Sequence, residues 1–310
     1  MNILITGGAG FIGSHVADAC VAAGHLTCVV DDLSMGRREN LHPEVEFVQL
    51  DIRSDKLWEM FDRVKFDVVI HHAAQMDVRK SVEDPLFDAS VNIIGTLNLL
   101  EICRAHGVKQ FIFASTGGAI YGDQAPDEKP ADELHPTKPI SPYGVSKLTI
   151  ENYLHYYRTV FGLTHVVLRY GNVYGPRQNP HGEAGVIAIF TGKMLAGGQP
   201  VINGDGRQTR DYVFVEDVVK ANMLALTYDR SGIFNVGTGI ETNVNELFAI
   251  LRELTSSQCE EQHAEAKKGE QQRSVLDATN ISRTLGWAPG VALREGLRRT
   301  VDSFRNRPAF

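Results

Sequence analysis

Ile3-Leu4-Ile5-Thr6-Gly7-Gly8-Ala9-Gly10-Phe11-Ile12-Gly13 decides how the rest of the chain is read. A short apolar run passes at once into a glycine cluster, then into a helical pattern with apolar residues at Ile12, Val16, Ala19 and Ala23. That order predicts strand, glycine turn, helix. Backbone amides at such a helix start bind a pyrophosphate, and side chains at the glycine positions would block its approach. Two registers fit, Gly8-x-Gly10-x-x-Gly13 and Gly7-x-x-Gly10-x-x-Gly13, with the same chemical consequence. A glycine fingerprint alone is weak, but a second strand, Leu26 to Val30, follows and ends at Asp31. An acid at that point accepts hydrogen bonds from the adenosine ribose and repels a 2′-phosphate. This favours NAD over NADP, although Arg37 and Arg38 lie close behind.

Further strand-helix units follow: Val45 to Gln49 with Asp51-Ile52-Arg53, Val68 to His71, and Gln110 to Ala114, with an amphipathic helix from about Pro85 to Ala105. Alternation of this kind predicts an α/β fold with a doubly wound parallel sheet, whose ligands sit beyond the carboxyl ends of the strands. Asp51-Ile52, Ala73-Ala74-Gln75, Ser90 to Asn92 and Ser115-Thr116 fall there. His71 and His72 face opposite sides of one strand, which argues for packing over metal binding.

After another strand, Thr164 to Arg169, the rhythm fails in a Gly-, Pro- and Asn-rich stretch around the amphipathic segment Val186 to Leu195. The expected division is a dinucleotide-binding domain of residues 1–172 and 213–240, with a smaller α/β substrate lobe of residues 173–212 and 241–310. Arg207-Gln208-Thr209-Arg210-Asp211-Tyr212 concentrates charge suited to a phosphate, or to a solvated turn. Helices are expected over Glu216 to Thr227, Asn243 to Leu254 and Leu293 to Arg305, and a strand over Gly232 to Gly237, while Cys259 to Gln272 shows no regular pattern.

The chemistry centres on Ser141-Pro142-Tyr143-Gly144-Val145-Ser146-Lys147. Ser141 suits a helix cap and Pro142 the first turn. Tyr143 and Lys147 then share one helix face, about 5–6 Å apart. A free tyrosine titrates near pH 10, so ionisation at neutrality needs about 4 kcal/mol of stabilisation. One cation about 6 Å away gives roughly 3 kcal/mol at an effective dielectric of about 20. A second positive charge, such as an oxidised nicotinamide, closes the gap, so the pair makes most sense beside a cofactor. With 9 Tyr and 31 Lys+Arg in 310 residues, this spacing arises about once by chance; the surrounding motifs must carry the reading.

A formal charge of −7 argues against nucleic acid or an anionic membrane as partner. No continuous apolar run of about 18 residues is evident in the sequence. The N-terminal residues lack a secretory pattern, and the widely spaced Cys20, Cys28, Cys103 and Cys259 match neither zinc spacing nor a disulfide framework. A cytoplasmic location is expected, and no metal.

Together, Thr6 to Gly13, Asp31, Ser115-Thr116, Tyr143-x-x-x-Lys147, Arg169-Tyr170-Gly171-Asn172 and Arg210-Asp211-Tyr212 resemble the extended short-chain dehydrogenase/reductase superfamily. Within it the chain is most similar to the nucleotide-sugar epimerases, nearest the UDP-glucose 4-epimerase branch. The resemblance implies 4-epimerisation of a UDP-hexose through a 4-keto intermediate, with hydride held on a tightly bound NAD. It implies Tyr143 as base then acid, Lys147 as its electrostatic tuner, and Thr116 as the hydroxyl bonding the sugar 4-oxygen. Implied cofactor contacts are Gly7, Gly10, Phe11, Ile12 and Gly13 in the turn, and Asp31, Asp32, Leu33, Ser34 and Gly36 after the second strand. Asp51, Ile52, His72, Ala73, Ala74 and Gln75 follow at later strand ends, together with Ser90, Ser115, Tyr143, Lys147 and Tyr170. Implied substrate contacts are Thr116, Gly117, Tyr143, Asn172, Val186, Arg210 and Tyr212, with Val201 and Ile202 at the uracil. Lys267 and Glu270 stand where the family has Arg and Asp. Ser274 stands where some members have a large Tyr, which leaves room for an N-acetyl group. A homodimer through the helices near Asp88 to Ala105 and Tyr143 to Tyr157 is also implied.

This chain reads Ser115-Thr116-Gly117-Gly118-Ala119-Ile120-Tyr121-Gly122 where the family has Ser-Ser-Ser/Thr-Ala-x-Val-Tyr-Gly. Counting from Phe113 places the catalytic hydroxyl on Thr116; counting back from Tyr121 reaches Gly117. Thr116 is chosen, with Ser115 second and a longer turn after it. The nearest alternative is a UDP-glucuronate 4-epimerase or decarboxylase, with Arg177, Lys193 or His181 meeting the carboxylate. A 4,6-dehydratase would carry Asp-Glu where Gly117-Gly118 stand. A non-catalytic dinucleotide-sensing protein would have no use for Tyr143, Lys147 and Thr116 together.

Overall fold

The computed structural model describes residues 1–180, 185–266 and 271–306. Apolar runs with few interruptions form a seven-stranded parallel sheet, as expected for strands covered on both faces. Its strands are β1 (Asn2–Thr6), β2 (Leu26–Asp31), β3 (Glu46–Gln49), β4 (Val68–His71), β5 (Gln110–Thr116), β6 (Thr164–Tyr170) and β10 (Gly232–Val236). They lie in the order β10-β6-β5-β4-β1-β2-β3, so the chain reverses direction across the sheet between β1 and β4. That switch point is where a dinucleotide cleft opens in such folds.

One face is covered by α1 (Phe11–Ala22) and α9 (Val215–Leu226), packed with Val16, Ala17, Val218 and Ala221 on Ile3, Ile5 and Val166. The other face carries α2 (Lys56–Arg63), the run from α3 (Val78–Glu83) and α4 (Pro85–Ala89) to α5 (Thr96–Ala105), and α7 (Pro142–Phe161). Leu57, Leu99, Ile102, Ile150 and Leu154 fill that core. Between β5 and α7 lies the single turn α6 (Gly117–Ile120).

Between α4 and α5 the helix widens into a π-helical turn, Ser90–Gly95. Pro85–Ala105 is a 21-residue helical stretch long and apolar enough, by length and composition, to cross a membrane, although Asp88, Glu101 and Arg104 interrupt its apolar run. In the fold its inner residues Leu99, Leu100, Ile102 and Cys103 are buried on the sheet.

The second lobe is built around β9 (Thr209–Phe214), which pairs with β7 (Asn172–Tyr174), β11 (Glu241–Asn243) and β13 (Arg273–Ser274). The stretch Arg207 to Tyr212 therefore enters a central strand and is not a solvated turn. The expected boundary at 212/213 falls inside that strand. A short pair, β8 (Ile202–Asn203) with β12 (His263–Ala264), places part of the segment whose pattern was unreadable. The helices α8 (Val186–Leu195), α10 (Val244–Thr255) and α12 (Leu293–Arg305) close the lobe around Phe190, Leu247, Phe248 and Leu297, and α11 (Thr279–Leu285) returns to β10.

Candidate active site

The glycine turn is tight for a geometric reason. Gly7 has φ +68°, and a Cβ there would lie 2.5 Å from the backbone nitrogen of Ala73. A Cβ on Gly13 would lie 2.3 Å from the carbonyl oxygen of Gly7. Only glycine allows α1 to start this close to the strand ends. Gly10 and Gly13 shape the turn, whereas Gly7 and Phe11 line a cavity of about 420 Å³ at the switch point.

Asp31, Asp32, Ser34 and Gly36 line that cavity on one side, and Asp51, Ile52, His72, Ala73, Ala74 and Gln75 on the other. Asp31 accepts from the Ala9 amide at 3.0 Å and the Leu33 amide at 2.8 Å. Burial, the largest influence, raises its pKa, and these amides oppose the rise. Asp51 is held by Arg53 at 2.5 Å. This cradle, with its acid at the end of β2 and its glycine floor, fits an adenine dinucleotide.

Besides Gly10 and Gly13, the expected contacts Ile12, Leu33, Ser90, Ser115, Tyr143, Lys147 and Tyr170 are not part of the cavity wall. Ile12 packs against the core. Leu33 sits in a left-handed turn, φ +61°, with its amide on Asp31. Ser90 accepts a hydrogen bond from Arg53 at 3.2 Å. Ser115 donates to Glu151 at 2.5 Å deep in the core.

The inner wall of the cavity leads to the catalytic pair. His72 meets the Tyr170 hydroxyl at 3.3 Å, and that hydroxyl accepts from Asn222 at 2.8 Å. His71 lies in the core between Thr6, 2.6 Å away, and Thr96, 2.9 Å away. Burial, reinforced by the charge on Lys147, lowers both imidazole pKa values, that of His72 to about 3. Both imidazoles are thus neutral, with His71 packed in the core.

Ser141 caps α7 by accepting from the Gly144 amide at 3.2 Å, and Pro142 occupies its first turn, as predicted. Lys147 is buried, donates to the Ala114 carbonyl at 2.8 Å, and lies 5.8 Å from the ring centre of Tyr143. Burial lowers the Lys147 pKa to about 8, while Asp88 and then Glu151 oppose the fall. Burial raises the Tyr143 pKa well above its usual value, and Asp88 adds to the rise. The protein alone thus leaves the phenol protonated, in agreement with the need for a second cation.

Thr116 ends β5 half-buried and heads α6 without spending its hydroxyl on a cap. A Cβ on Gly118 would sit 3.8 Å from Thr116 Oγ1 and 3.5 Å from Asn172 Oδ1, so both polar groups border one space. Gly117 is different: its Cβ would meet the Leu276 side chain at 2.5 Å, so any side chain there would require Leu276 to move. The extra residue is absorbed by α6.

Other substrate expectations fare unevenly. Arg210 donates to the carbonyls of Thr209 at 2.8 Å and Gln271 at 2.7 Å, and lies beside Ser274 in the β9–β13 register. Tyr212 is buried edge-on to Tyr174. Val186 is half-buried and Val201 exposed, but Ile202 is fully buried in the lobe core, so its side chain does not face a ligand. Ser274 is buried as well. Lys267, Glu270 and His181 lie outside the described residues. Sequence reading gave Arg177 only to the uronate alternative, whereas it stands at the cavity wall and pairs with Asp18 at 2.6 Å; it missed the buried carboxylates Asp88 and Glu151.

The UDP-glucose 4-epimerase of Mycolicibacterium smegmatis is 45% identical to this chain, covering 99% of each. The crystal structure of Thermotoga maritima UDP-glucose 4-epimerase with UDP-glucose has a TM-score of 0.96 and 49% identity, covering 98% of this chain and 99% of that one. The Thermus thermophilus UDP-glucose 4-epimerase complex with NAD has a TM-score of 0.95 and 46% identity, covering 99% of each chain. Residues 3–237 match the NAD dependent epimerase/dehydratase family as a single stretch, from the glycine turn through the tyrosine-lysine helix to the last strand of the parallel sheet. The chain belongs to that family.

Proposed function

We propose that the chain is an NAD-dependent 4-epimerase of UDP-hexoses, interconverting UDP-glucose and UDP-galactose. The observation that carries this reading is buried Lys147, 5.8 Å from the Tyr143 ring and close enough to His72 in the cavity wall to add to the burial-driven fall in its pKa, beside a cavity that fits a dinucleotide. When bound, NAD supplies a hydride acceptor that later returns the hydride. Tyr143 takes the proton from the 4-hydroxyl and gives it back after the keto sugar has turned. Lys147 supplies positive charge to the phenolate, and Thr116 orients the 4-oxygen. Asn172, whose side chain shares a space with Thr116, and Arg210 are assigned to the sugar diphosphate. No net oxidation results.

The uronate alternative is less well supported. Arg177 is committed to Asp18 at the dinucleotide cavity, and Lys193 is exposed on α8. Incubating the purified protein with UDP- and dTDP-sugars, separating the products and identifying the cofactor released on denaturation tests the assignment. Epimerised UDP-glucose with NAD is expected; turnover of UDP-glucuronate alone would refute it.

A second substrate is proposed from Ser274. A small side chain stands at Ser274, beside Arg210 in the strand register, where some family members carry a large tyrosine, so UDP-N-acetylglucosamine is expected to turn over too. A UDP-N-acetylglucosamine 4-epimerase structure from Methanobrevibacter ruminantium, 35% identical, has the same fold at a TM-score of 0.92. Ser274→Tyr should abolish the acetylated reaction and spare UDP-glucose; retention of both would remove the idea.

A homodimer is proposed through α4, the π-helical turn and α7. Leu86 is 82% exposed, Ile94 59% and Tyr156 47%. On α7, Val145, Tyr153, Tyr156 and Val160 form one exposed stripe at helical spacing. Buried thiols at Cys20, Cys28 and Cys103 support placing the protein in a reducing cytoplasm.

A further inference from the structure

Two buried carboxylates stand near Lys147, and they are paired differently. Glu151, one turn further along α7, is held by Arg169 at 2.5 Å, with both side chains almost fully buried. Its charge is answered by that guanidinium. Asp88, on α4, is 1% exposed. It accepts from Ser146 Oγ at 2.6 Å, Asn92 Nδ2 at 2.9 Å and Gln75 Nε2 at 3.1 Å. All three donors are neutral.

A buried carboxylate without a cation is strongly disfavoured, and so is a buried ammonium without an anion. The charged groups facing the Tyr143–Lys147 pair are few. The strand β4 brings His71 and His72, both kept neutral by burial. The strand β6 brings Arg169, already spent on Glu151. Helix α3 brings Arg79, Lys80 and Glu83, all exposed. The strand β5, the turn α6 and the π-helical turn contribute none. We infer that Asp88 is the counter-charge of Lys147, a positioning residue that keeps the ammonium protonated inside the active site and ties the catalytic helix to the cofactor loop.

The tie is visible in the hydrogen bonds. Ser146 precedes Lys147 on α7, while Gln75 belongs to the cavity wall. Asn92, in the π-helical turn, accepts from the Gln75 amide at 2.9 Å and donates to the Gln75 carbonyl at 2.9 Å. Asp88 and Asn92, one helical turn apart on the same helix face, grip the same loop residue. Asp88 thus joins three segments that must hold their relative positions for proton and hydride to leave the same carbon. It also sets the electrostatic level there: its charge raises the pKa of both Lys147 and Tyr143.

The decisive variant is Asp88→Asn, which keeps the volume and removes the charge. Loss of the negative charge makes Lys147 easier to deprotonate and Tyr143 easier to ionise. Both limbs of the kcat/KM profile should therefore move toward acid by about one pH unit. Direct ultraviolet titration of the Tyr143 phenolate in the NAD-loaded protein, with Tyr143→Phe as the blank, should move in the same direction. Ser146→Ala removes a tether and leaves the charge, so its limbs should stay in place. A folded, NAD-loaded Asp88→Asn protein whose limbs and phenolate titration match the parent would overturn the inference. This pH test rests on the epimerase reading; a stability test does not. Asp88→Asn should lower the melting temperature of the parent but raise it when Lys147 is already Met, where the carboxylate has lost its cation. If the single variant fails to fold, the Lys147→Met, Asp88→Asn double variant should still fold. Equal loss in both backgrounds would make Asp88 a hydrogen-bonding strut only.

Discussion

Lys147 Nζ donates to the carbonyl of Ala114 at 2.8 Å while sitting 5.8 Å from the ring centre of Tyr143. The bond to the end of β5 fixes the ammonium between the sheet and the phenol, so its charge acts on Tyr143 at nearly constant distance.

The first prediction follows from burial. Lys147, with its pKa lowered to about 8, is protonated below that pH and loses its charge above it. Because Tyr143 depends on that charge, kcat/KM should fall as pH rises through about 8. Lys147→Met should remove this alkaline limb and lower kcat by about 10²–10⁴-fold, the range for a disabled acid-base group. Tyr143→Phe should lose at least as much. An alkaline limb that survives in Lys147→Met would assign it to another group.

The two hydroxyls at the end of β5 should separate cleanly. Ser115 is bonded to Glu151 at 2.5 Å, whereas Thr116 borders the cleft beside Asn172. Thr116→Val is expected to cut kcat by about 10–100-fold with little change in melting temperature. Ser115→Ala removes a hydrogen bond to a buried charge, and should cost about 1.5–3 kcal/mol of stability with a smaller effect on rate. Reversal of the two outcomes in denaturant melts and initial rates would move the catalytic role to Ser115.

Glu151 should prove structural first. It receives Arg169 in a two-pronged pair with contacts of 3.1 and 2.5 Å, and Arg169 continues to the Tyr121 hydroxyl at 2.8 Å. Glu151→Gln leaves the guanidinium buried without its anion, which should cost about 3–5 kcal/mol. Denaturant unfolding at pH 7 measures this; a loss below about 1 kcal/mol would mean that water or another carboxylate replaces Glu151.

What could be read from sequence was what local chemistry dictates. Gly7 and Gly13 announce a turn because no other residue fits between β1, β4 and α1, and Ser141-Pro142 announces a helix start five residues before Lys147. Partners distant in sequence stayed hidden. Counting from Phe113 prefers Thr116 over Ser115, but the physical reason, that Glu151 36 positions away takes Ser115, is not in the local sequence. Arg210-Asp211-Tyr212 looks like a charged turn, yet Asp211 is buried in β9 because Thr238 and the Gly239 and Leu276 amides all donate to it. Asp88 looks like one more polar residue on an amphipathic helix, since Gln75, Asn92 and Ser146 converge on it only after α4 docks on α7.

The same two helices leave their outer faces bare, which allows the assembly to be tested. Ile94 and Tyr156 are 59% and 47% exposed, and their side chains leave the core to Leu99, Leu100 and Leu154 on the inner faces. Solvent-facing apolar residues on neighbouring helices are best explained by a second copy that covers them. Replacing Ile94 and Tyr156 together with Lys should therefore disrupt association without opening the core. Light scattering is expected to give twice the chain mass for the parent and the single mass for the variant, with the cofactor retained in both. A parent protein that scatters as a monomer at micromolar concentration would leave the exposed stripe without the partner assigned to it.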